Sequence, residues 1–175
     1  MPVTERMALR RTNWPDVDDL VALNADRDVM SGHSDGLPMS AARVLAEEMP
    51  RLMAHNNRTD QLGYWVARDA ATGGFLGWFA AIPVPHPVST VELDYRLRRN
   101  AWGEGLELEG TLAMIAMARS AGVKTVTATT MAADVAGHEV MEAAGLHRKP
   151  SAATGPETAT PALTEYILDL STTTA

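Results

Sequence analysis

The chain has 175 residues, the size of one domain, and 46% of them are hydrophobic, enough to build a core. Fifteen Lys and Arg stand against 22 Asp and Glu, a formal net charge of −7, and no basic patch suited to nucleic acid interrupts that balance. There is no cysteine, which excludes disulfides, thiolate metal sites and a cysteine nucleophile and is compatible with a reducing cytoplasm.

No apolar run is long enough for a bilayer, and the N-terminus lacks the apolar stretch of a signal peptide, so a cytoplasmic chain without membrane contact is expected. Residues 1–175 read as a single domain. Met7–Arg11 reads as a first strand. Asn13 or Asp16 caps a helix starting near Pro15, with Val17, Leu20, Val21 and Leu23 on one face. Ser31–Pro38 is loop by composition. Ser40 caps a second helix, which Pro50 should kink or interrupt.

Residues 63–84 read as a hairpin turning at Asp69–Gly74. Val91–Leu97 alternates, with Val91, Leu93, Tyr95 and Leu97 on one face and Glu92, Asp94 and Arg96 on the other. Leu106–Ala121 is a helix with Leu108, Leu112, Ile115 and Met117 available for burial, and Gly122 suits its C-cap. Val123–Thr130 is β-rich, Asp134–Ala144 a short helix, and Leu163–Leu170 a last strand. Residues 150–161 compose a mobile loop and 171–175 a frayed tail.

The chemistry concentrates in Val91–Gly110, VELDYRLRRNAWGEGLELEG. A strand ends, Gly103 and Gly105 let the backbone bend close to a ligand, and a helix begins at once. The helix start carries unpaired N–H groups and partial positive charge, a site for a phosphate or pyrophosphate. Two glycines in a strand–helix turn also serve packing alone, so this motif by itself leaves both readings open.

The segments VELDYRLRRNAWGEGL and TATTMAADVAGHEVMEAAGL, together with the hairpin carrying GGFLGWFA, resemble the GNAT acetyltransferase superfamily over residues 7–170, and within it the branch of ribosomal-protein N-terminal acetyltransferases. The resemblance implies an α/β fold with a mixed central sheet of about six to seven strands, splayed between strands four and five and flanked by about four helices. It implies acetyl-CoA in that gap, with pantetheine along Tyr95–Leu97 and pyrophosphate on the Gly103–Leu106 turn, beside Glu104 and Gly105. Arg98 and Arg99 supply positive charge there. The implied reaction is acyl transfer to a small-molecule amine or a protein N-terminus, with Glu92 as general base and a strand-four N–H for the oxyanion.

Several positions depart from the family pattern. Asn100 replaces the Arg or Gln that opens the pyrophosphate loop, and Glu104 the usual base between the glycines. Glu107 stands at a small-residue position, and Glu109 is retained, so three carboxylates border the expected phosphates. Asp134 and Gly137 replace the Asn and Ser that contact pantetheine and thiol, and Met141 the frequent tyrosine acid. Asp94 shares a strand face with Glu92, which makes the pair a candidate acid–base couple or a seat for a cationic acceptor. His33, in the loop over the acceptor, and His138, near the thiol end, are candidate substrate and acid residues, each also readable as a surface histidine.

No metal-ligand spacing is evident. Two other functions stay open: an enzyme on this fold that no longer uses acyl-CoA and does acid–base chemistry on a metabolite, and a non-catalytic binding protein. A monomer and a homodimer are equally compatible.

Overall fold

The computed structural model describes residues 4–32, 36–87, 89–150 and 163–171. Its centre is a seven-stranded mixed sheet: β1 (Met7–Arg11), β2 (Gly63–Asp69), β3 (Phe75–Pro83), β4 (Thr90–Leu97), β5 (Thr125–Met131), β6 (His147–Arg148) and β7 (Leu163–Asp169), in the order β1-β2-β3-β4-β5-β7-β6. β1 to β4 run antiparallel, β4 and β5 parallel, and β7 antiparallel between β5 and β6. This is the expected α/β fold. The two-residue β6 is an addition to the strands read from the sequence, too short to leave a period-two signal.

The helices are α1 (Val17–Ala25), α2 (Arg27–Ser31), α3 (Ala41–Arg43), α4 (Met49–Asn56), α5 (Leu106–Ser120) and α6 (Val135–Ala143). The expected first helix is two, because Asp26 leaves helical geometry and caps α2 by accepting from Asp28 N and Val29 N. Between α3 and α4 lies a π turn, Val44–Glu48. Pro50 therefore falls in the first turn of α4, where its missing N–H costs nothing.

Each sheet face has its own core. α5 and α6 cover Met7, Leu9, Trp65, Phe79, Leu93 and Val126. α1, α2 and α4 cover Tyr64, Val66, Trp78 and Ala80. Each large side chain buried this way contributes about 1.5–3 kcal/mol.

α5 buries Ile115 as expected and packs Leu108 and Met117 partly buried against the core, but Leu112 departs from the expectation. Leu106, Thr111, Met114, Ile115 and Ala118 face the sheet, and Leu112 is 46% exposed. The helix carries apolar residues on two sides, and its period alone does not choose between them. Gly110 decides the seating, because a Cβ there would overlap the Phe79 ring. Gly110→Ala is expected to lower stability by about 2 kcal/mol net of improved helix propensity, read as a lower urea midpoint at unchanged slope.

Candidate functional site

β4 and β5 are paired only from Thr90↔Thr125 to Leu93↔Ala128. Beyond that, β4 continues to Leu97 against β3, and β5 continues to Met131 against β7. The two strands therefore diverge from Asp94 and Thr129 onward and open a gap in the sheet. Arg98 N–H is given to Leu76 O on the β3 side, and strand alternation then turns the amides of Tyr95 and Leu97 toward the gap. Those two residues are the ones the sequence offers to an extended ligand chain.

Asp94 stands at the apex of the gap. Its Oδ1 accepts from Tyr95 N–H at 2.8 Å. Its side chain is exposed to solvent, and the neighbouring protein still desolvates its carboxyl. Desolvation pushes its pKa up to about 6, against the pull of Arg96 and the Tyr95 amide, with Glu92 adding to the rise and Arg51 opposing it. Glu92 lies two residues back, inside the paired stretch opposite Thr127. Burial and the Asp134, Glu107 and Asp94 carboxylates push the Tyr95 phenol up, so it stays protonated.

The glycine turn follows. Gly103 and Gly105 have φ of 72° and 76°, a region that L side chains rarely adopt. No side chain caps α5 at Gly105, and Glu109 N–H bonds Gly105 O. The amides before Glu109, from Leu106 on, thus have no partner within the helix and stay available to an anion. Trp102 Nε1 donates to Leu97 O at 2.9 Å and ties the turn to the end of β4.

The charge around this turn differs from what its sequence suggests. Arg6 Nε and N donate to Glu109 Oε2 and Oε1 at 2.7 and 2.9 Å, and Arg6 Nη1 donates to Glu104 O at 2.7 Å. Glu109 is thereby charge-paired, and despite partial desolvation its pKa lies below the usual carboxylate range, held there by hydrogen bonds from Thr4 and Arg6 and by the Arg6 charge. Glu104 and Glu107 remain as the opposing charges. Arg99 pairs with Asp28 of α2 at 2.6 Å, and Arg98 is exposed.

Across the gap, Asp134 caps α6. Its Oδ1 accepts from Gly137 N at 3.0 Å and its Oδ2 from Thr130 Oγ1 at 3.1 Å. A Cβ at position 137 would overlap the Asp134 carboxylate. The two departures from the family pattern are therefore one coupled change: the capping aspartate fills the room a serine side chain would need. Gly137→Ser is expected to cost about 1–2 kcal/mol with Asp134 in place and less in an Asp134→Ala background, measured by a double-mutant cycle.

His138 is buried. Its Nε2 faces Ala132 O at 3.1 Å and its Nδ1 faces Tyr166 Oη at 2.8 Å. A carbonyl only accepts, so Nε2 carries the proton and Nδ1 accepts from the tyrosine. Both ring nitrogens are thus occupied by the protein. His33 lies outside the described residues. No group of His, Asp or Glu suited to a metal occurs among the described residues.

Sequence reasoning missed Arg6, and it missed Glu48 and Arg51. Glu48 Oε2 accepts from Arg51 Nε and Nη2 at 3.1 and 2.9 Å, and Arg51 Nη1 donates to Tyr64 Oη. Arg96, beside Asp94 on the same strand face, is 6% exposed; it donates to Asn24 Oδ1 and lies 3.7 Å from Glu48 Oε1. No local motif marks these residues: Arg6 meets Glu109 103 positions away, Glu48 meets Arg96 across the sheet face, and Arg51 joins Glu48 to Tyr64, 13 positions further on.

Comparison with known proteins agrees with this geometry. Solved structures with the same fold include an acetyltransferase of the GNAT family from Bacillus anthracis (TM-score 0.76, 15% identity, covering 97% of this chain and 98% of that one). They also include spermidine N-acetyltransferase from Vibrio cholerae with CoA and spermine (TM-score 0.74, 13% identity, 94% and 96% covered) and a ribosomal L7/L12 α-N-protein acetyltransferase with coenzyme A (TM-score 0.79, 12% identity, 96% of each chain). No curated protein sequence matches the chain significantly. The family model for the acetyltransferase (GNAT) domain matches residues 6–147, and the chain belongs to that family.

Proposed function

We propose that the protein is an acyl-CoA-dependent N-acyltransferase whose acceptor is an amine, on a small molecule or at a protein N-terminus. One observation carries this reading: the gap between β4 and β5 opens at Asp94, where a carboxylate and the Tyr95 amide meet on a strand edge without a β5 partner. Two backbone features support acyl-CoA as the ligand. The uncapped start of α5 after Gly103 and Gly105 suits the pyrophosphate, and the Leu97 amide, turned to the same side as that of Tyr95, suits the pantetheine. When bound, acetyl-CoA supplies an activated acyl thioester.

The protein's own groups have defined tasks. Tyr95 N–H is a fixed donor that exchanges Asp94 Oδ1 for a carbonyl oxygen. The exchange frees Asp94 to accept the proton of the acceptor amine, and near neutral pH the carboxylate is ionised and ready. Glu92 adds negative charge for a cationic acceptor. Leu106 opens the helix whose free amides would hold the phosphates, and Arg98 and Arg99 border the turn.

Glu104 and Glu107 oppose a polyphosphate, and Asp134 is spent as a cap; both favour the alternative of a GNAT-domain protein that has given up acyl-CoA. Calorimetric titration with acetyl-CoA separates the two readings. Binding is expected, and Glu104→Lys, a change of two charges, is expected to tighten it by about tenfold at low salt and less as salt rises. Absence of binding by acetyl-CoA and by CoA, in wild type and in Glu104→Lys alike, overturns the proposal.

A further inference from the structure

Successive side chains of a strand point to opposite faces of its sheet. At the apex of the gap this sets Asp94 on the side of α1 and α4, where Arg96 of the same strand face meets Asn24 and Glu48. It sets Tyr95 on the side of α5 and α6, partly buried against their core. The Tyr95 ring leans on Phe79 with 5.8 Å between centroids. Its hydroxyl has no hydrogen-bond partner among the described residues and is not sealed from solvent. Glu107, in the first turn of α5, and Asp134, the cap of α6, both act on that phenol, which lies toward the space between the two helix starts. Neighbouring side-chain donors are spent. Thr130 Oγ1 bonds Asp134, Trp102 Nε1 bonds Leu97 O, and both ring nitrogens of His138 are occupied by Ala132 O and Tyr166 Oη.

The amides proposed for the pyrophosphate open α5, which covers the Tyr95 side of the sheet. An acyl donor that reaches from there to the Tyr95 amide keeps its chain on that side, and its sulfur is the last atom before the acyl carbon. An amine that meets Asp94 arrives from the other side. Building on the acyl-transfer reading, we propose that the Tyr95 hydroxyl donates a hydrogen bond to the sulfur as it leaves, so that one strand step sets the base and the leaving-group donor on opposite faces of the sheet. The amine nitrogen bonds the acyl carbon, the carbon–sulfur bond breaks, and the sulfur keeps the electron pair as a thiolate. Asp94 takes the amine proton and passes it to water, and the thiolate takes a proton from water once released. Tyr95 keeps its own proton throughout, as the carboxylates around it require. Its O–H binds the charged sulfur more strongly than the neutral thioester, which is what makes the contact catalytic.

Free CoA is the probe, with desulfo-CoA as the blank. The thiol of protein-bound CoA, followed by the ultraviolet absorbance of the thiolate, is expected to ionise about one pH unit higher in Tyr95→Phe than in wild type, because the thiolate loses a donor. Phenylalanine keeps the ring against Phe79, so thermal melts of the two proteins are expected to coincide. Thiol release from acetyl-CoA, with the amine that wild type uses best, is expected to fall about 10²-fold. The KM for acetyl-CoA is expected to change less than about threefold.

CoA that binds both proteins and ionises alike in them overturns the role of Tyr95 and leaves the transferase reading standing. An unchanged rate of thiol release in Tyr95→Phe overturns it as well. CoA that binds neither protein overturns both readings together.

Discussion

Asp94→Asn is expected to slow acyl transfer by about 10²–10⁴-fold and, at neutral pH, to make the fold more stable. The two effects share a cause. A carboxylate crowded by protein at the apex of the gap is a costly place for charge, and that cost is what lifts its pKa to about 6. Asparagine keeps the shape and can still accept from Tyr95 N–H, but it takes no proton from an amine. Glu92→Gln is expected to slow transfer less than about tenfold, because Glu92 sits inside the paired part of β4. Initial rates at saturating acetyl-CoA, with thermal melts of the same samples, read both outcomes. Equal rates for wild type and Asp94→Asn, with a large loss in Glu92→Gln, would move the base to Glu92.

The pH dependence follows with a definite sign. In wild type kcat/KM should climb about tenfold per pH unit below about 6 and level off above it, as Asp94 ionises. Stability runs the other way for this one group. Its pKa is higher in the folded protein than the ordinary value of 3.8, so its contribution is fully present below that value and is lost as pH rises through about 6. The stability gain of Asp94→Asn should therefore be on the order of 1 kcal/mol at pH 7–8, discounted for solvent access, and vanish near pH 4. Urea melts across pH 4–8 measure it.

The elements that place Asp94 were legible because they are local. Alternation from Val91 to Leu97 gives the strand and its faces, and Gly103 and Gly105 give the turn. What was not legible depends on distant partners. Glu109 reads as one of three carboxylates opposing a phosphate until Arg6, 103 residues away, is seen to hold it. Leu112 reads as a core residue because α5 is apolar on two sides, and only the contact of Gly110 with Phe79 selects the face. Asp134 shows a further limit. Comparison with the family pattern draws attention to a missing asparagine, whereas the pattern Asp134-x-x-Gly137 is also an ordinary N-cap, and the cap is what forms. Pro50 signals an interruption in its helix, but nothing local says that the extra residue is taken up as a π turn one step earlier.

That π turn leads to the largest expected loss of stability, in Glu48→Ala. Val44 and Glu48 lie one helical turn apart on the buried side, and so do Met49, Leu52 and Asn56. Glu48 and Met49 are neighbours in sequence, and a regular helix would point them about 100° apart. The extra residue lets both face the sheet, which brings a carboxylate that is 4% exposed against Arg96. Truncating Glu48 removes one of the two carboxylates that support the buried Arg96 guanidinium, leaving Asp94 as its counter-charge and Asn24 Oδ1 as its hydrogen-bonding partner, and burial already opposes its charge. The expected cost is about 3–5 kcal/mol. Removing both charges, as Glu48→Leu with Arg96→Met, should recover most of that loss, because the pair itself repays little of its desolvation. The four-point cycle in urea denaturation tests this, and additive losses would show that the two charges do not depend on each other. The recovered double variant also isolates what the pair does for the site. Arg96 is one of the two guanidiniums that pull the Asp94 pKa down, so without it the acid limb of kcat/KM should move above pH 6 even though the fold is intact.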